Sequence, residues 1–274
     1  MKKCVRGFVC GVAVFTAMQS ALAADLDYLR GSEVFAPTPA IYSNWSGFYV
    51  GAQAGYTEGE VDFSKGVATL VAHVLRESAL EQGGQISGWD ILGKRDNRAA
   101  SYGGFIGYNS QWENVVLGIE ANYNKISLAA ATTGSLSRAI APGDGLLYHT
   151  TVDGSASLHL TDYGTVRGRA GYAMGNFMPY LMAGAAFGRA DIHRSATITA
   201  LVEQPNGPPF LFGPVTESEN KTAYMFGYSF GGGIDVMLWS CLFLRGEAEW
   251  VQFGRVADIK TDFVTGRVAA GWKF

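Results

Sequence analysis

The chain has 274 residues, 48% of them apolar and only 16% charged, with a net charge of −3. Charged residues make up about 25% of an ordinary soluble domain, so this balance argues against a typical cytosolic enzyme and against a disordered chain. Past the N-terminal leader no stretch reaches the roughly 18 consecutive apolar residues of a membrane helix. Glycine (36) and aromatic residues (13%) are abundant, and many rings and small residues with few charges suit strands that face lipid.

Residues 1–23 carry a basic start (Lys2, Lys3, Arg6), a short apolar core from Phe8 to Met18 and the small-residue cut Ala21-Leu22-Ala23. They read as a secretory signal peptide, to be excluded from the fold. Losing three cations with the leader takes the net charge to −6, which disfavours nucleic-acid binding, since that usually needs a basic face. Cys241 alone remains among the cysteines, so an intrachain disulfide is excluded. Residues 24–44, with Pro37 and Pro39 and no period, read as a periplasmic N-terminal tail.

From Trp45 onward the pattern alternates with period two, the mark of strands with two unlike faces. Clear alternation runs through 45–60, 115–127, 162–175, 221–237, 241–254 and 262–274. In 99–112 and 178–193 glycine and aromatics blur the faces. The eight segments have thirteen to seventeen residues, enough for the roughly nine to eleven of a tilted membrane strand. Short connections (113–114, 176–177, 238–240) alternate with longer ones (61–98, 129–161, 194–220, 255–261), as expected of periplasmic turns and external loops. Lipid cannot satisfy a backbone amide, so the strands are expected to close on themselves. The fold class expected is all-β, an eight-stranded antiparallel transmembrane barrel over 45–274, with both termini in the periplasm.

Aromatics near strand ends are expected to form two interfacial girdles. Trp45, Phe48, Trp112, Phe177, Trp239 and Trp272 lie near the short turns, and Tyr56, Tyr123, Tyr163 and Phe263 near the long loops. Parity places Glu120, Asp235, Glu247 and Glu249 inward, together with Arg167, Arg169, Arg245 and Arg267. Four acids and four arginines in a narrow barrel must pair, which predicts an ionic network that plugs the lumen. Glu247 and Glu249 share a face, but beside arginines they read as structural rather than catalytic, and no catalytic residue is expected.

In the first long loop, 67–82 has helical spacing (Val67, Leu70, Val71, Val74, Leu75), a short helix expected to pack on the loop cluster, with contact to a partner or the outer leaflet as the alternative. The Pro-rich 205–214 stretch reads as a rigid loop tip carrying Phe210, Leu211 and Phe212. The histidines fall in loops or at loop ends. Tyr148, His149 and His193 are candidates for haemin iron, but no pair has metal-ligand spacing, and no metal or other cofactor is expected. Ser/His/acid, phosphate-loop and nucleophile-elbow patterns are not visible.

Trp45-Ser46-Gly47-Phe48-Tyr49-Val50-Gly51, Gly103-Gly104-Phe105-Ile106-Gly107-Tyr108-Asn109, Val116-Leu117-Gly118-Ile119-Glu120 and Thr165-Val166-Arg167-Gly168-Arg169 with Gly171-Tyr172 resemble the small outer-membrane β-barrel family of alphaproteobacteria. That family includes the outer-membrane immunogenic proteins and is related to opacity-type and OmpA-type barrels. The terminal run Arg267-Val268-Ala269-Ala270-Gly271-Trp272-Lys273-Phe274 fits as well, with Phe274 similar to the signal read by the outer-membrane assembly machinery. The resemblance covers residues 45–274 and implies location in the cell outer membrane among lipid and lipopolysaccharide. No enzymatic activity is expected, since a barrel enzyme acting on lipid would need a Ser/His/acid cluster that is not visible; the role expected is structural and surface-interacting, toward a host or surface ligand. Haemin binding by loops and narrow porin-like diffusion are the alternatives.

Overall fold

The computed structural model describes residues 44–274. The expected leader and most of the expected tail lie outside the described residues. Eight antiparallel strands close into one barrel in chain order: β1 (Gly47–Asp62), β2 (Lys94–Trp112), β3 (Val115–Ile140), β4 (Leu147–Tyr172), β5 (Phe177–Gln204), β6 (Gly207–Trp239), β7 (Leu242–Phe253) and β8 (Lys260–Lys273). The seam between first and last strand pairs Tyr49 with Lys273 and Gly55 with Arg267. At its base the Phe274 amide donates to the Phe48 carbonyl at 2.8 Å. Gly47 sits there at φ +130°, and a Cβ would meet the Phe274 carbonyl at 2.7 Å, so only glycine fits this junction.

The blurred segments resolve into ordinary alternation. In β2, Tyr102, Ile106 and Tyr108 face out while Ser101, Phe105 and Asn109 face in. Gly107 hides the pattern because it vacates an inward position for the Tyr49 ring, whose hydroxyl lies 2.3 Å from where a Cβ would stand.

Two expected loops are corrected to strand. Residues 129–161 and 194–220 continue β3–β4 and β5–β6 upward as hairpins, leaving turns only at 141–146 and 205–206. These extensions form a four-stranded crown above the barrel mouth. The alternation persists there with small residues outside (Thr133, Ser155, Ser157) and apolar ones inside (Leu128, Val152, Leu158, Ile198). Register shifts mark the transition, at Lys125/Leu128 between β3 and β4 and at Leu160/Asp162 between β4 and β5. The extra residue on β4 moves its outward parity from even (Val166, Gly168) to odd (Ser157, Ser155). A slipped period reads as a loop in a one-dimensional sequence.

The Pro-rich tip is also corrected in part. The turn is 205–206, and Pro208 to Pro214 belong to β6, in a stretch that pairs with β5 alone because β7 joins only from Gly227. Proline is tolerated there because that edge needs no ladder donor. Phe210, Leu211 and Phe212 are exposed.

The insertion between β1 and β2 holds two helices rather than one, α1 (Ala68–Val74) and α2 (Ala79–Gly84), separated at Glu77, which has φ +62°. Ser78 caps α2 by accepting from the Glu81 amide at 3.2 Å. Val67, Leu70, Val71, Leu75 and Leu80 are buried in one core with the crown's inner wall. The insertion is thus a cap seated against the crown. The Arg194 guanidinium fastens it, donating to the Gly66 carbonyl (3.1 Å), the Thr69 hydroxyl (2.8 Å) and the Ala257 carbonyl (3.2 Å) while pairing with Glu219.

Candidate functional site

On the outside of the barrel the aromatics form two bands. Phe48, Tyr108, Trp112, Tyr172, Phe177 and Trp239 ring the turn end; Tyr56, Tyr102, Tyr123, Phe187, Tyr224 and Phe226 ring the upper end. Val50, Ile106, Ile119, Val166, Leu181 and Val268 fill the space between. Eight residues from Phe48 to Tyr56 span about 27 Å along the strand, or about 20 Å of height at a tilt near 40°. That approaches the roughly 25 Å apolar band of a membrane-spanning barrel. Three expected girdle residues are corrected: Trp45, Tyr163 and Phe263 are buried inside the barrel. Tyr163 and Phe263 have the same inward parity as Thr165 and Thr265, and their rings meet edge-on at 5.0 Å.

Inside, side chains fill the lumen in four layers. The lowest is apolar: Trp45, Phe105, Met178 and Phe243 pack beneath the charges, with the Trp45 and Phe243 rings 6.5 Å apart. The second holds the eight residues expected from parity, all buried. Glu120 is the hub. Its Oε2 accepts from Arg245 Nη1 at 2.7 Å, Arg169 Nη1 at 3.1 Å and the Tyr49 hydroxyl at 2.9 Å, and its Oε1 accepts from Arg167 Nε at 3.1 Å. Asp235 takes Arg169 Nη2 at 2.7 Å and Arg245 Nε at 2.8 Å. Arg167 reaches Glu247 at 2.9 Å and Glu249 at 3.0 Å. Arg267 closes the set against Glu249 and, at 3.0 Å, Glu247.

Four positive and four negative charges therefore balance in a site without solvent access. Sequence reasoning missed the residues that complete it. The Tyr180 hydroxyl donates to Glu247 at 2.6 Å. The Arg169 guanidinium lies 3.8 Å from the centroid of the Tyr180 ring, and that of Arg245 lies 4.5 Å from the Phe105 centroid. Tyr49 was legible by parity alone, whereas Tyr180 and Phe105 lie in the two segments whose faces were blurred.

The third layer is neutral and polar. Gln53 donates to Asn124 at 2.7 Å, Asn124 to Asn122 at 2.9 Å and Asn122 to Thr165 at 2.8 Å. The fourth is the apolar floor of the crown, where Phe253 and Phe263 meet at 5.9 Å beneath Leu128 and Leu160.

The haemin candidates do not converge. His149 stands opposite Leu201 and His193 opposite Ser157 on the β4–β5 hairpin. Eight residues of β4 separate these rows, about 26 Å, so the two imidazoles cannot share one iron. His149 lies 3.3 Å from Glu203, and His193 bonds Asn220 at 2.7 Å. The Tyr148 hydroxyl donates to Asp144 at 2.8 Å, which pushes its phenol up from the ordinary value and keeps it protonated. Among the described residues no group of three or more His, Cys, Asp or Glu side chains could hold a metal ion.

The structure also forms a contact that the sequence did not show. Ser127 Oγ and His159 Nε2 are 3.0 Å apart, and Asp191 stands across from His159. Asp191 accepts instead from Thr222 at 2.7 Å, and among the described residues no carboxylate bonds the imidazole. The pair lacks the acid that orients a base for nucleophilic catalysis.

The family comparison agrees with this architecture. The outer membrane protein beta-barrel domain family matches residues 9–274. The 31 kDa outer-membrane immunogenic proteins of Brucella melitensis and Brucella suis are each 33% identical over 179 residues, 62% of this chain and 60% of theirs. The match thus spans less than two thirds of those relatives' length. Among solved structures, the attachment invasion locus protein Ail of Yersinia pestis aligns over 84% of this chain and 99% of its own, at 13% identity and TM-score 0.35. OprG of Pseudomonas aeruginosa aligns over 84% and 96%, at 12% identity and TM-score 0.37.

Proposed function

The chain belongs to the outer membrane protein beta-barrel family, and from that premise we propose that it is a closed, non-catalytic barrel that serves envelope integrity and presents a rigid crown outside the cell. It is an outer-membrane protein. The observation that carries the finer reading is the filled lumen. Glu120, Arg167, Arg245 and Glu249 occupy the cross-section with fully buried side chains, and apolar layers seal it below and above. Opening a path would strip buried charges of partners, at about 3–5 kcal/mol for each broken pair. A solute therefore meets a core, not a pore.

The test is conductance of the purified full chain in planar bilayers. The expected record shows the bare-membrane current; a steady, protein-dependent pore current overturns the reading. Narrow porin-like diffusion finds no support in the four layers. Haemin binding finds none in the separated histidines, and titration with haemin is expected to give no Soret shift that depends on His149 or His193.

A further inference from the structure

Among the described residues the outer face of the crown is distinguished by rows of hydroxyl side chains. Its rows run straight across four strands. Thr133, Ser155, Ser195 and Ser218 form one row, and Ser135, Asp153, Thr197 and Thr216 the next. Strand spacing sets these side chains about 4.8 Å apart along each row. The row on the other side of Thr133 holds only Ala131, Ser157, His193 and Asn220.

Between β5 and β6 the hydroxyls pair with each other, Thr197 with Thr216 and Ser218 with Ser195, both at 2.8 Å. On β3 and β4, Thr133, Ser135, Asp153 and Ser155 line a shallow depression of about 450 Å³, where no other described side chain engages their polar groups. The glycines beneath them, Gly134 and Gly154, are fixed from the inner side. A Cβ on Gly134 would stand 2.1 Å from the Ile91 carbonyl of the cap.

The chemistry of this face narrows its partner. Protein interfaces centre on aromatic and large apolar residues and are depleted in serine, and these rows hold neither. Lipid phosphate calls for unopposed cations. At the foot of the face Lys125 and Arg189 flank Asp162 in one row; Arg189 bonds it at 2.7 Å, which leaves a single excess positive charge there, too little for a phosphate site. What a flat, nearly uncharged grid of hydroxyls matches is a neutral polyhydroxylated chain. The grid begins just above the upper aromatic band, at the level where the sugars of outer-leaflet glycolipid stand.

We infer that the outer face of the crown binds the neutral polysaccharide of the surrounding lipopolysaccharide, centred on Thr133, Asp153, Ser155 and Thr197. The inference rests on the reading that the crown faces the exterior. Binding there would fix the crown in the saccharide layer and give the barrel a lateral tie to its own membrane.

The test uses the full chain folded in detergent, with folding checked by heat-dependent electrophoretic mobility. The probe is polysaccharide freed of lipid A by mild acid, observed by saturation-transfer NMR and calorimetry. Wild type is expected to bind, and Leu211→Ser at the tip to bind equally. The triple variant Thr133→Glu, Ser155→Glu, Thr197→Glu should lose at least ten-fold in affinity. Ser155→Asp alone should lose about three-fold, which keeps the test open if the triple variant does not fold. A heat-modifiable wild type that ignores the polysaccharide overturns the inference and leaves the closed-barrel reading standing. Undiminished binding by both variants overturns it, as does affinity for lipid A alone. A wild-type dimer in sedimentation that Ser155→Asp dissociates overturns it in favour of a second copy as the occupant.

Discussion

Within the same four strands, the barrel wall and the crown are inside-out versions of each other. On β4, below the upper aromatic band, Val166 faces outward and Arg167 and Arg169 inward; above it, Asp153 and Ser155 face outward and Val152 and Leu158 inward. The backbone ladder is continuous and only the surroundings change. In hydrocarbon the exterior must be apolar, and polar groups survive only where they pair inside. In water the ordinary rule returns. The register shift at Leu160/Asp162 is where one arrangement hands over to the other, so two solvents are written into a single strand.

The largest effect should come from the charged layer. Glu120→Ala leaves three buried guanidiniums short of a carboxylate and should cost about 3–5 kcal/mol, read as a lower urea midpoint for loss of the heat-resistant form. Next is a matched pair on β4. Val166→Arg puts a charge in lipid and should cost about 2–4 kcal/mol, whereas Ser155→Arg on the crown should stay within about 0.5 kcal/mol. Equal costs for the two would erase the difference between the halves.

Leu158→Ala, in the crown core, should cost about 2–5 kcal/mol and appear as faster amide exchange in the crown while the barrel amides stay protected. Arg194→Ala should free the cap. Limited proteolysis is expected to cut between residues 63 and 93 while heat-dependent mobility is unchanged. The smallest effect is at the β3–β4 turn. The Leu146 amide and the Tyr148 hydroxyl hold the Asp144 carboxyl below the ordinary carboxylate range. Its support for the turn is complete above that range and fades as pH falls through the lowered value, which amide exchange of residues 141–147 between neutral and strongly acidic pH would read.

The barrel was legible because its alternation is strong. Ile119 beside Glu120 and Val166 beside Arg167 differ so much in polarity that parity alone assigned all eight lumen charges. The crown was not legible because its alternation is weak. Ala129, Ala131 and Thr133 differ little from Ala130 and Thr132, and the bulge on β4 shifts the period by one. Tyr163 and Phe263 were placed in a girdle because aromatic type was given more weight than parity, which already set them inward. Tyr180 entered the network from a strand whose face glycine and aromatics had blurred. The break between α1 and α2 was missed for a local reason: a left-handed glutamate at position 77 has no signal of its own in the composition of its neighbours.

The inversion can be measured directly with one nitroxide at a time along the outward positions of β4, in full-length protein reconstituted in bilayers. Labels at Ala170, Gly168 and Val166 should collide with oxygen and be shielded from a water-soluble nickel reagent. Labels at Ser157, Ser155 and Asp153 should show the opposite, with the crossover at Asp162. A profile that stays lipid-like above Asp162, or one that is water-like along the whole strand, would contradict the two-solvent account of this fold.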